Sequence, residues 1–300
     1  MFENILGNEK NKKILEKAIN LKKMSHSYIF WGTEGIGKKI IAKEFAKQIL
    51  CLEDNKPDCK CKSCIEFDSE NNPDFQLINS ENDKIKIEQI REMQRKIAEK
   101  PIISHHKVYI IDNADRMTPE AQNCLLKTLE EPPEYIVIIL ICSNENNLLS
   151  TIKSRCTRLH FDKIENSEIL DYINKNEPDK NISPNIIEFA QGSIGKALKL
   201  SENIEIYENV EKLIEQMKSK DLIDIMKSAE QLYKSKEEID FILEFINVIL
   251  LKFGKQEHKY VKCIDIVENT KKRIKANSNY DMCIDNLIFN MWEIINQKVI

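Results

Sequence analysis

The chain has 300 residues, 42% hydrophobic and 31% charged, with 45 Lys and Arg against 49 Asp and Glu and a formal net charge of −4. This composition describes a soluble globular protein long enough for two to three domains. It excludes a chain that holds DNA alone through a basic surface, so a DNA partner would be met inside a larger assembly. The longest apolar run, residues 136–142, is far short of the roughly 20 residues of a membrane span. Met1-Phe2-Glu3-Asn4 carries neither the basic nor the apolar region of a signal peptide. The expected location is therefore cytoplasmic, with no membrane partner, and the nine cysteines are expected as free thiols or metal ligands.

Taken in chain order, the first half alternates β-rich runs with helical patterns. Strands are expected at residues 28–31, 75–78, 108–111, 136–142 and 158–161, and helices at 10–21, 38–50, 85–99 and 119–130. Such alternation predicts a doubly wound, mostly parallel α/β sheet. A small helical section follows at about 166–202. Beyond it no proline occurs, and Gly254 is the only glycine. Apolar residues recur at helical spacing there, as in Phe241, Phe245, Val248 and Leu251, predicting a separate bundle of four or five helices.

Three of the seven glycines fall together in Gly32-Thr-Glu-Gly35-Ile-Gly37-Lys38-Lys39, after the strand Tyr28-Ile-Phe-Trp31 and before a helix. This nearly matches the phosphate-binding loop G-x-x-x-x-G-K-[ST]. Glycines let backbone N–H groups approach phosphate, the helix N-terminus adds partial positive charge, and Lys38 reaches the terminal phosphates. Lys39 stands where a Ser or Thr hydroxyl would bind Mg²⁺, and an ammonium repels a cation. ATP or ADP binding stays open; efficient hydrolysis is not expected. Downstream, the apolar strand of Lys107-Val-Tyr-Ile-Ile-Asp112-Asn113 places Asp112 where a metal-holding carboxylate of the Walker B element would sit. Asn113 occupies the next position, and an amide cannot act as the base that activates water.

Cys51, Cys59, Cys61 and Cys64 lie within fourteen residues, a set suited to structural Zn²⁺. Lys56, Lys60 and Lys62 are expected to lower the thiol pKa values. The Cys59-x-Cys61 spacing is tight and leaves the ligand geometry open. Cys124, Cys142, Cys156, Cys263 and Cys283 stand in apolar contexts and read as packing residues.

His26-Ser-Tyr-Ile-Phe, Ala121-Gln-Asn-Cys-Leu-Leu-Lys-Thr-Leu-Glu-Glu-Pro-Pro133 and Ser154-Arg155-Cys156 together resemble the bacterial clamp-loader subunits of the AAA+ class, which belong to the DNA polymerase III holoenzyme. The resemblance covers about the first two hundred residues, and the helical last third by architecture only. It implies a P-loop AAA+ domain at 1–163, a helical lid at 164–203 and an all-α collar for oligomerisation at 204–300. Lys39 and Asn113 depart toward the delta-prime type, as does Gly195, which takes the place of a sensor arginine with Lys196 beside it. Length agrees with that type. The resemblance further implies that Arg155 is an arginine finger acting in a neighbouring subunit's site, with Arg158 a weaker candidate, and that Ser143 is the sensor-1 polar residue. The implied partners are gamma/tau-type ATPase subunits and a delta subunit in a ring, and through them the sliding clamp and primed DNA. No acidic set is arranged as a two-metal polymerase site. The alternative is an autonomous ATPase of gamma/tau type.

Overall fold

The computed structural model describes residues 2, 5–53, 59–80, 84–176 and 183–296. The chain divides into two compact units, Met1–Tyr172 with Gly192–Gly195, and Ile173–Gln191 with Lys196–Ile300.

The first unit is built on a parallel sheet. Its strands are β1 (Ser27–Trp31), β2 (Phe75–Ile78), β3 (Lys107–Ile111), β4 (Ile136–Cys142) and β5 (Thr157–His160), in the order β2-β3-β4-β1-β5. Its helices are α1 (Glu9–Asn20), α2 (Lys38–Leu50), α3 (Lys62–Asp68), α4 (Ile87–Ile97), α5 (Pro119–Glu130) and α6 (Ser150–Lys153). This is the expected α/β P-loop (AAA+) arrangement. Every residue of β4 is buried, as a central parallel strand requires. Period-two alternation divides its side chains between two cores. Val137, Ile139 and Ile141 join Tyr28, Phe30, Val108 and Ile110 against Leu15 of α1 and Ile41 and Phe45 of α2. Ile136, Ile138 and Leu140 join Ile29, Tyr109 and Ile111 against Ile90 and Met93 of α4 and Leu125 of α5. Each buried large aliphatic side chain contributes about 1.5–3 kcal/mol, which fixes the sheet between its helical layers.

Local chemistry sets the helix ends. Thr118 caps α5 by accepting the Ala121 N–H, with Pro119 in the first turn. Helix α4 starts at Ile87, later than residue 85, because Ile85 is held in a bridge to Met117. Its N–H donates to the Arg116 carbonyl, and its own carbonyl accepts from Thr118.

The helices that follow are α7 (Asn166–Asn176), α8 (Pro184–Ala190), α9 (Ile194–Glu202), α10 (Ile204–Gln216), α11 (Leu222–Ser228), α12 (Glu230–Lys234), α13 (Ile239–Gly254), α14 (Lys259–Lys275) and α15 (Tyr280–Asn296). Among the described residues the last third thus holds six helices, more than the four or five expected, because α11 and α12 are short separate segments. In the second unit α13 packs against α10 and α14, and α14 against α15. The buried face of α13 carries Ile242, Phe245, Ile246 and Ile249. Of the expected stripe through Phe241, Phe245, Val248 and Leu251, Phe245 lies on this face; the stripe as a whole is rotated from it, and Leu251 is 53% exposed. No helix among the described residues is long and apolar enough to cross a membrane.

Candidate nucleotide loop, arginine finger and metal site

All five strands run parallel, so β1, β2, β3 and β4 end along one edge of the sheet, where ligands of open α/β sheets gather. Gly32 leaves β1 there with φ +147°, and a Cβ on it would lie 2.4 Å from the Phe161 carbonyl oxygen. Gly37 precedes α2 with φ +88° and nothing within 4 Å of a Cβ, so backbone conformation alone demands glycine. Gly35 also has positive φ.

Lys38 is buried inside this loop and donates from Nζ to the carbonyls of Gly32 (2.5 Å) and Thr33 (2.6 Å). Burial pushes its pKa down, and the Cys142 thiol and the carboxylates of Glu34, Asp115 and Asp112 push it partly back. On the next residue, Lys39 Nζ lies 2.9 Å from Asp112 Oδ2 and 3.5 Å from Asn79 Oδ1. Asp112 follows β3 and Asn79 follows β2, so Lys39 joins the ends of two strands. A hydroxyl–Mg²⁺–carboxylate bridge would need the volume and the charge that this ammonium holds. The donor set does not fit Mg²⁺.

Asn113 sits in the left-handed region at φ 53°, a conformation asparagine tolerates better than glutamate. Ser143 follows β4 on the same edge; its N–H and that of Asn144 donate to Asp115 Oδ2 (3.3 and 3.0 Å), tying the segment after β3 to the end of β4. Gly195 N–H donates to the Gly35 carbonyl (3.0 Å), so Gly195 touches the loop directly. The Lys196 ammonium stands 5.7 Å from the centre of the Phe189 ring and 5.9 Å from that of Phe241.

Arg155 belongs to the other edge. It lies between α6 and β5, and its carbonyl accepts from Ser27 Oγ (2.7 Å) at the start of β1. From Ser27 to Gly32 the strand advances about 16 Å, beyond the reach of an arginine side chain back to its own loop. The Arg155 guanidinium pairs with Glu130 Oε1 at 2.7 Å, and its Nη1 donates to the Thr151 carbonyl at 2.9 Å. Both are exposed enough that the arginine is held at the surface. Arg158 pairs with Glu145 at 3.5 Å.

Two residues that sequence alone did not single out organise this region. Gln122 of α5 is buried and donates from Nε2 to the carbonyls of Met117 (3.2 Å) and Asn147 (3.0 Å), while its Oε1 accepts the Leu149 N–H (2.8 Å). It thereby fixes the entry to α6 and the segment that carries Arg155. Glu130 was visible within the Leu-Glu-Glu-Pro-Pro string, but its pairing with Arg155 was not.

The four cysteines converge where α2 ends and α3 begins. Their sulfurs all lie within 4.8 Å of one another. A tetrahedron of Zn–S bonds of about 2.3 Å separates sulfurs by about 3.8 Å, so a small contraction closes the set. The tight Cys59-x-Cys61 spacing is accommodated by a turn in which the Cys61 N–H donates to Cys59 Sγ (3.4 Å). Burial opposes ionisation of Cys61, but the N–H groups of Leu52 and Cys64 and the neighbouring thiols outweigh it and bring that thiol to about 7. Burial pushes Cys51 and Cys64 up. Backbone donors thus do what the lysines were expected to do; Lys56 lies outside the described residues. Burial also raises Cys142 to about 12 and Cys156 and Cys263 to about 11, in keeping with packing roles.

The family model for "DNA polymerase III, delta subunit" matches residues 7–165. The chain is 35% identical over 206 residues to the DNA polymerase III subunit delta' of Bacillus subtilis, covering 67% of this chain and 61% of that protein. It is 34% identical over 220 residues to the gamma/tau subunit of Mycoplasma genitalium, covering 71% of this chain and 37% of that one. The match therefore spans less than two thirds of these relatives. A DNA polymerase III gamma subunit-related protein from Thermotoga maritima shares the fold with a TM-score of 0.56 at 19% identity, over 94% of this chain and 99% of that one. Since the family model takes in more than half of the chain, with the loop at 32–39, the acidic strand end at 112 and the Ser154-Arg155-Cys156 segment, the chain belongs to the DNA polymerase III delta subunit family.

Proposed function

We propose that this chain is a delta-prime subunit of the DNA polymerase III clamp loader, an assembly subunit that does not hydrolyse nucleotide and lends Arg155 to a neighbouring ATPase subunit. The observation that carries this is the 2.9 Å ion pair between Lys39 and Asp112. It replaces the hydroxyl and the metal that phosphoryl transfer needs, while Asn113 replaces the base. The placement of Arg155 at the far edge of its own sheet supports action in trans, where a guanidinium stabilises charge on the transferring phosphoryl group.

In this proposal residues 1–163 form the AAA+ domain, 164–203 the lid and 204–300 the collar. The collar helices bind gamma/tau-type and delta subunits in the ring, which opens the sliding clamp and sets it on primed DNA in the cytoplasm. Cys51, Cys59, Cys61 and Cys64 hold a structural Zn²⁺. When bound, the ion supplies four-point cross-linking of the loop after α2 and no catalysis.

The matches to gamma/tau subunits favour a second reading, an autonomous ATPase using Lys38 and Asp112. Turnover by the purified chain decides between them. The proposal expects no Mg²⁺-dependent ATP hydrolysis above background. Hydrolysis that Lys38→Ala abolishes would establish the second reading instead. Within a reassembled complex, Arg155→Ala is expected to leave assembly intact and lower DNA-stimulated ATPase; unchanged turnover would remove the role given to Arg155.

A further inference from the structure

We propose that Lys39 is a tethered substitute for Mg²⁺, so that the loop binds a metal-free nucleoside diphosphate. This rests on the loop being a phosphate site, as above, and it fails separately from the assembly role.

Phosphate recognition needs backbone donors, a reaching lysine and a positive charge beside the terminal phosphate. The first two are in place. Gly35 and Gly37 hold positive φ, a backbone conformation of the kind that lets N–H groups face an anion, at the start of the thirteen-residue helix α2. Lys38 Nζ lies within the loop on the carbonyls of Gly32 and Thr33.

The third requirement is met differently. Lys39 Nζ stands beside Asp112, where the metal pole would be, and is 2.9 Å from that carboxylate. An ammonium has three N–H donors. One is given to Asn79 Oδ1 at 3.5 Å and the charge pairs with Asp112 at 2.9 Å, so the ammonium keeps donor capacity for a phosphate oxygen. The Lys39 side chain is 42% exposed, so solvent and ligand reach it.

Charge then selects the ligand. Mg²⁺ beside a carboxylate carries one net positive charge toward the phosphates, whereas the Lys39–Asp112 pair is neutral as a whole and offers the phosphates only its ammonium pole. A triphosphate brings one more negative charge, and the metal that normally bridges its last two phosphates has no ligand pair here. The diphosphate is the better fit. A free Mg²⁺ ion gains nothing, because Lys39 repels it.

The test is calorimetric titration of the full chain with ADP, and in parallel with ATP, in excess Mg²⁺ and in excess EDTA. ADP is expected to bind with the same Kd in both, within about twofold, and more tightly than ATP. Lys39→Thr restores the usual loop and is expected to make ADP binding at least about tenfold tighter with Mg²⁺ than with EDTA. Lys39→Arg keeps the charge and is expected to remain indifferent to metal; circular dichroism confirms that each variant is folded. Wild-type binding strengthened about tenfold by Mg²⁺ would overturn the inference, as would a Lys39→Thr variant whose metal-free affinity is unchanged. Failure of the wild type to bind either nucleotide would also overturn it, while leaving the assembly role to be judged by the turnover of the reassembled complex.

Discussion

Gln122→Met is the perturbation that isolates how the segment carrying Arg155 is held. Methionine nearly conserves length and volume, so the change removes polar atoms with little cavity. Three hydrogen bonds are lost, to Met117, Asn147 and Leu149, at 2.8 to 3.2 Å. At about 1 kcal/mol net for each, the sum is about 3 kcal/mol. Asn147 and Leu149 are exposed and water replaces part of that, whereas the Met117 carbonyl is buried with its residue. The expected loss is about 2–3 kcal/mol, or roughly 5–10 °C in the midpoint of a unit of this size. Trp31, whose ring lies 4.1 Å from that of His160 at the end of β1, reports unfolding of the first unit once Trp292→Phe has removed the only other tryptophan. Urea unfolding by Trp31 fluorescence and hydrogen exchange at the Leu149 amide are the assays. Gln122→Glu keeps the acceptor for Leu149 but turns a carboxylate toward two carbonyls, and is expected to be at least as damaging. A Gln122→Met protein within about 0.5 kcal/mol of its parent would refute the account of Gln122 as the tie between α5 and α6.

The metal site predicts about one zinc per chain in protein purified without chelator, and loss of that zinc in Cys64→Ser, measured by elemental analysis; markedly less in the parent would remove the site. At the glycine loop, Gly37→Ala meets open space and is expected to cost only the left-handed backbone penalty of about 1–2 kcal/mol. Gly32→Ala, whose Cβ would meet the Phe161 carbonyl at 2.4 Å, is expected to cost more, and denaturant titration ranks the two.

The sheet was legible because buried parallel strands are continuous apolar runs, and residues 136–142 were read with both ends correct. Helices α2 and α5 were equally clear, since Gly37, Pro119 and the Glu-Pro-Pro stretch punctuate them. Where punctuation fails, so does sequence. Helix α13 is apolar nearly all round, so several stripes fit its period and only packing chooses the face through Ile242 and Ile246. Helix α3 is too short to show a period, and it forms where Cys61 and Cys64 are drawn together. Gln122 reads as a surface polar residue in a helix until the chain returns past Asn147 to meet it.

The loop shows the same limit in its chemistry. Sequence reveals that Lys39 is wrong for a metal, and Asp112 right for one, but not that they meet. They do so because α2 returns its first turn over the sheet edge where β2 and β3 end, which is a property of strand order.

In the proposed reading, that placement separates hydrolysis from the lending of Arg155. The Lys39–Asp112 pair acts at the edge where the strands end; Arg155 is anchored where they begin, by Ser27 through its backbone, by Glu130 through its guanidinium, and through Gln122 along the entry to α6. About 16 Å of strand and a closely packed core separate the two. A charge change at the first edge alters no contact of the second. In the proposed role the subunit gives up its metal while presenting an undisturbed guanidinium to its neighbour, and the effects of Lys39→Thr and Arg155→Ala on unfolding free energy, measured by urea titration, are expected to be additive in the double variant, as for sites more than about 10 Å apart with no shared partner.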